Sequence, residues 1–350
     1  MAATNPTPRT RAAAELGVLA FGLTALAGVI AHLPADTATA PLPAKLATGA
    51  AANHDLTADF PNFNLYQTAP YSLVTDAPAV VAQETLATLT ALRQEFHRHF
   101  ADLIRTQAPE LPVHVVFFSH EADYRAYVLR AAPGLVNSAG LFLPRDNRLV
   151  LLDQLGSHNY LRAQQHAPVT ARAQASVRLA GEARAITARL IRHEGTHQLM
   201  HATGFESAFA VAPTWLTEGL AQYCETETIG APDKLLTARL APPLLPLRQL
   251  LNHRQPAGFF ALPETQVATA YAQSWALIHF LMQPEYRPGF FAFIRSYRDV
   301  TAAGAAQRAR LVEPAAVLVQ HLHTDFATLE NQWHNFIAAV KSAPCADDLP

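Results

Sequence analysis

Residues 190 to 204 read LIRHEGTHQLMHATG and close a segment, 173 to 202, with helical periodicity. His193 and His197 stand four apart, about one helical turn or roughly 6 Å of rise, so both imidazoles leave one face of that helix. One metal ion can take both. Glu194 sits beside the first histidine, where its carboxylate reaches a water on such an ion rather than the ion itself, the arrangement that metal-assisted hydrolysis requires. The chain has 16 histidines, so the spacing also arises by chance on a solvated helix face. A catalytic zinc takes three protein ligands and keeps a fourth position open, so the pattern has weight only if a third ligand follows. PTWLTEGLAQYCE, residues 213 to 225, supplies one in Glu218. Gly204 is a natural stop for the first helix, and Glu218 lies near the start of a second helix expected over 214 to 227. The connection between them is long enough to turn back.

Composition narrows the partners. The 350 residues carry 26 basic and 28 acidic side chains, a net charge of -2, with no cationic block of the kind that neutralises phosphates, so nucleic acid is not an expected partner. Two cysteines, Cys224 and Cys345, are too few for a disulfide scaffold or a thiolate metal site. Histidine and carboxylate must bind any metal. A Cys224–Cys345 bridge stays open for an oxidising compartment; a small buried thiol and a tail thiol is the preferred reading.

Arg9 and Arg11 precede LGVLAFGLTALAGVIAHL, residues 16 to 33, a run without charge. This layout predicts export, with residues 1–33 a signal peptide or a membrane anchor. Ala38 and Ala40 have the spacing of a cleavage site, but Pro41 is a poor neighbour and the run is long enough to tether the chain to a membrane. Both outcomes stay open, and the destination is periplasmic, secreted or anchored. Residues 34–59 read as a Pro/Ala-rich linker.

The remainder predicts an α+β fold. Residues 60–155 form a small α/β subdomain with a short mixed sheet: strands at 71–76 and 113–119, helices at 78–105 and 121–132, and a hairpin over 139–153 turning at Pro144 to Asn147. Residues 156–340 read as mainly helical, with helices at 173–202, 214–227, 269–283 and 288–298. Residues 341–350 are a tail.

HEGTH followed by WLTEGLAQY resembles the gluzincin branch of zinc metallopeptidases, closest to bacterial peptidase-MA-like proteins of unknown function, over roughly residues 65 to 300. The resemblance implies a zincin-like helical subdomain, Zn2+ as cofactor and a peptide or protein substrate cut at internal bonds. By position, the Trp-Leu-x-Glu-Gly segment gives Glu218 as third ligand beside His193 and His197, with Glu194 as general base. That ligand set leaves the ion one net positive charge. A metzincin would place glycine and histidine where Met200 and Thr203 stand. His201 is read as an exposed histidine rather than a ligand. The Gly-x-Met-Glu-Asn segment that grips a free amino terminus is absent, which argues against an exopeptidase. Gln222 occupies the place of an acid that supports a ligand histidine in thermolysin-like enzymes; Glu225, seven residues after Glu218, is the nearer acid, read either as orienting a ligand histidine or as a solvated charge. Tyr271 is the expected donor to the developing oxyanion, against core packing, with His279 or Tyr223 as substitutes. Trp215 and Trp275 are expected in the core. The competing class is an exported, non-catalytic zinc-binding scaffold; an intact Glu194 argues against it, since a purely structural site needs no base.

Overall fold

The computed structural model describes residues 56–104, 112–167, 172–205, 212–240, 242–254, 258–300 and 313–342. The fold is mixed α+β, a five-stranded mixed sheet followed by a mainly helical region. The strands are β1 (Asn64–Thr68), β2 (Tyr71–Thr75), β3 (Val113–Phe118), β4 (Gly140–Leu143) and β5 (Arg148–Leu152), in the order β1-β2-β3-β5-β4. The central pairs β2–β3 and β3–β5 are parallel, and the two edges pair antiparallel. Alternation along the strands builds two cores, because successive side chains leave opposite faces. Leu73, Val115 and Leu149 face α1 (Ala79–His99) through its Leu86 and Leu89. Val74, Val116 and Val150 face α2 (Glu121–Ala131) through Tyr124 and Val128. The β4–β5 hairpin turns at Asn147, which takes φ 44°, a backbone region that asparagine tolerates better than most residues.

After α3 (His158–Gln165) comes α4 (Arg172–Ala202), the longest helix described. It lies between the layers. Leu190 and Ile191 belong to the sheet core, while Leu199 and Met200 join the helical core. That second core gathers α5 (Thr214–Tyr223), α6 (Lys234–Arg239), α7 (Leu247–Asn252), α8 (Glu264–Leu281), α9 (Arg287–Arg298), α10 (Pro314–His321) and α11 (Phe326–Ser342). Helices α5 and α8 approach closely at Gly219, where an added Cβ would stand 2.7 Å from the Ser274 carbonyl oxygen. Trp215 stacks on Phe290 and Phe293 and donates its indole N–H to the Leu251 carbonyl.

Several boundaries differ from the sequence reading. The helix expected over 78–105 ends at His99, where Phe100 leaves helical geometry and a single 3-10 turn, Ala101–Leu103, follows. The helix expected over 214–227 ends at Tyr223, because Arg192 Nε takes the Cys224 carbonyl at 2.7 Å and Gly230, at φ 77°, turns the chain. Leu56–Asp59, within the expected linker, is a helical turn whose Leu56 is buried against the sheet. Residues 1–55, with the expected signal or anchor, lie outside the described residues, as does Cys345; Cys224 is buried in the core. No helix among the described residues is long and apolar enough to cross a membrane.

Candidate metal centre

The last third of α4 is buried on every side: each residue from Leu190 to Met200 is shielded from solvent. A helix buried all round is ordinarily apolar, yet this one carries His193, Glu194, Thr196, His197 and Gln198. The four-residue spacing aims His193 and His197 at α5, and His193 Nε2 lies 3.2 Å from His197 Nε2. Glu218 comes from the middle of α5, with Oε2 3.4 Å from His193 Nε2 and 3.7 Å from His197 Nε2. Three points so separated lie on a circle of radius about 2 Å, the bond length from a small divalent cation to nitrogen or oxygen. His193, His197 and Glu218 thus form a buried group that could hold a metal ion.

The chemistry of the donors fits that geometry. Glu218 Oε2 has no hydrogen bond, and two imidazole nitrogens face each other with one proton at most to share. A cation at their centre satisfies all three. Burial works against charge on His193, but the Glu218 carboxylate beside it and its bond to Glu225 outweigh that and hold it well above the ordinary histidine range. Burial likewise opposes charge on Glu218, and the two histidines hold it below the usual carboxylate value. The pocket is built to stabilise positive charge.

Glu194 is buried near enough to this group to feel its charges, with neither carboxylate oxygen hydrogen-bonded. Burial pushes its carboxyl up to about 7, with Glu218 and Glu225 adding to the rise and the two histidines opposing it. Its Cγ lies beneath Gly140, the first residue of β4, where an added Cβ would stand 3.0 Å from that carbon and 2.7 Å from Leu190 Cδ1. The sheet edge thus walls one side of the centre.

Glu225, just beyond α5, accepts from His193 Nδ1 at 2.8 Å and is buried. That bond fixes the ring so that Nε2 faces Glu218 and His197, the place an orienting carboxylate would take if the group held an ion. Gln222, one turn after Glu218, is buried with Oε1 unpaired and makes no described bond to either histidine. Tyr271 is buried in α8 with its ring edge-on to Phe259 at 5.1 Å; burial raises its hydroxyl well above the ordinary value, and the charges of Glu218, Glu194 and Glu225 add to this. Its two substitutes turn elsewhere. Tyr223 and His279 pack ring to ring at 4.6 Å, and the Tyr223 hydroxyl meets His99 Nε2 at 3.4 Å. His201 is exposed, against Phe142. Arg189 and Asp233, which sequence reasoning passed over, complete the surroundings: Arg189 bridges the Glu225 and Asp233 carboxylates, the latter at 2.5 Å. Arg189 lies four residues before His193, one turn earlier on α4, and that spacing is its only signal in the sequence.

Residues 187–301 match a family described as protein of unknown function (DUF1570). The matched stretch runs from the second half of α4 to beyond α9, so it holds His193, Glu194, His197, Glu218, Glu225, Asp233 and Tyr271. The sheet lies before it. Comparison with curated proteins gives no match.

Proposed function

We propose that the chain is a zinc-dependent peptidase that hydrolyses internal peptide bonds with Glu194 as general base. The observation that carries this reading is the Glu194 carboxylate, wholly buried beside a ligand histidine with both oxygens unpaired. Sealing a polar group in that way costs about 1–3 kcal/mol, more when it is charged. A site that only stored an ion has no use for such a group. Burial raises this carboxyl above the ordinary range, the direction that a base working near neutral pH requires.

Zinc suits two imidazoles and one carboxylate, and when bound it supplies a Lewis acid that polarises a carbonyl and makes a water acidic near neutral pH. His193, His197 and Glu218 would hold it. Glu225 keeps the His193 proton on Nδ1, leaving Nε2 free to ligate. Glu194 takes the proton of the attacking water and passes it to the leaving amine. Tyr271 donates its O–H where negative charge develops on the substrate oxygen. The peptide or protein substrate would be met outside the cytoplasm, an expectation resting on the apolar run 16–33 behind Arg9 and Arg11.

The test sets the full chain beside Glu194→Gln, with zinc content and hydrolysis of peptide libraries measured on the same preparations. Both proteins are expected to hold one zinc, with turnover in the variant lower by about 10²–10⁴-fold. Undiminished turnover by a zinc-loaded Glu194→Gln protein would remove the basis of the reading. Metal-dependent melting with no turnover in either would indicate a non-catalytic zinc-binding scaffold.

A further inference from the structure

We infer that Arg189 is a positioning residue of the metal centre, its guanidinium fixing the Glu225 carboxylate that orients His193, and that it thereby sets the affinity of the site for a divalent ion. The inference rests on reading His193, His197 and Glu218 as metal ligands. Each oxygen of Glu225 has one partner: Oε1 accepts from His193 Nδ1 at 2.8 Å, and Oε2 accepts from Arg189 Nη2. Arg189 Nη1 donates to Asp233 Oδ2 at 2.5 Å, so one planar fork spans two carboxylates. Asp233 is itself pinned, its Oδ1 accepting from the backbone N–H groups of Leu235 and Leu236 at the start of α6. Glu225 and Asp233 are each only 4 % exposed. Half-buried Arg239 adds a second positive charge near them.

A continuous rigid path therefore runs from the backbone of α6 through Asp233, Arg189 and Glu225 to the ring of His193. Without the guanidinium, two buried carboxylates would face each other. Glu225 would then swing, and His193 would lose the partner that holds its Nε2 on the ion. A plain tether of segment 224–233 to α4 does not account for Arg189, because Arg192 already provides one. Arg192 Nε donates to the Cys224 carbonyl at 2.7 Å and Nη2 to Glu95 Oε2 at 2.9 Å, while Glu95 Oε1 accepts from Ile229 N at 2.7 Å.

The experiment titrates zinc chloride into the full chain against a competing chelator and compares Arg189→Met, Glu225→Gln, the double variant and Glu95→Gln, with melting of each metal-free form. Arg189→Met and Glu225→Gln should each weaken zinc binding by about tenfold or more. The double variant should bind no more weakly than Glu225→Gln, because the arginine acts through that carboxylate. Glu95→Gln, which loosens only the Arg192 tether, should lower the melting temperature and leave affinity within about twofold. Should Arg189→Met fail to fold, Asp233→Asn takes its place, since asparagine caps α6 equally well but loses the charged bond to the guanidinium; several-fold weaker binding is expected. Wild-type affinity in Arg189→Met, or losses that multiply in the double variant, overturn the inference alone. A wild-type chain that takes up no zinc overturns the metal reading and this inference with it.

Discussion

Buried groups with unpaired atoms mark where individual side chains answer to something other than packing. Glu194 and Glu218 are two; His279 is a third of another kind. It packs between Tyr223 and Trp275, each ring centre 4.6 Å away, with Nε2 unpaired. Burial pushes its pKa down to about 4, with Asp233 opposing. The folded chain thus resists protonating a ring that the unfolded chain protonates below about 6.5. Its stability contribution is whole above that value and is lost as pH falls from there through about 4. Replacing His279 with Phe should flatten the acid limb of melting temperature against pH; an unchanged slope between pH 6.5 and 4 would refute this. The grouping of His193, His197 and Glu218 was legible in sequence because helical spacing fixes which side chains share a face, and because a carboxylate facing them needs only a second helix. Glu225 was half legible, since its offset from Glu218 places it near the ligands but does not say whether it is solvated. Arg189 was not, because its role depends on partners 36 and 44 positions away.

Helices meet where backbones can approach, and that decides where Glu218 stands. Gly219 follows Glu218 directly, and the Ser274 carbonyl leaves no room for a Cβ there. Gly219→Ala should push α5 away from α8, costing about 1–3 kcal/mol and weakening metal binding by displacing Glu218. A variant that melts like wild type and binds zinc equally would show that the contact relaxes freely. The strands carrying near-continuous apolar runs were read correctly, since each buries both faces. β1 was missed because NLYQT is largely exposed and its place in the sheet comes from pairing with β2 rather than from its own pattern. α10 and α11 were not resolved as separate elements, because their apolar residues dock on a core assembled from distant helices, which a local window does not reveal.

At the scale of the molecule, the centre lies between two layers that contact different faces of α4. An ion held there adds a crosslink from α4 to α5, and folding should depend on it. At a free concentration one hundred times its Kd, an ion bound only by the folded chain adds about 2.7 kcal/mol. Chelation should therefore lower the melting temperature, and readdition of zinc should restore it; identical curves would argue against any metal at this position. Thr187 holds the sheet side through Gln154 N, Leu190 lies beneath Gly140, Arg192 reaches Glu95 on α1, and Gln198 meets Asn147 in the hairpin. Because Thr187, Leu190 and Gln198 share the face towards the sheet while Arg192 leaves α4 on another side towards α1, the rotational phase of the helix is locked from residue 187 to 198. A single residue inserted or deleted there would rotate everything downstream by about 100° and set each attachment against the wrong neighbour. Change of chain length is therefore forbidden in this stretch, whatever the inserted residue, and the α4 rod acts as the molecule's ruler.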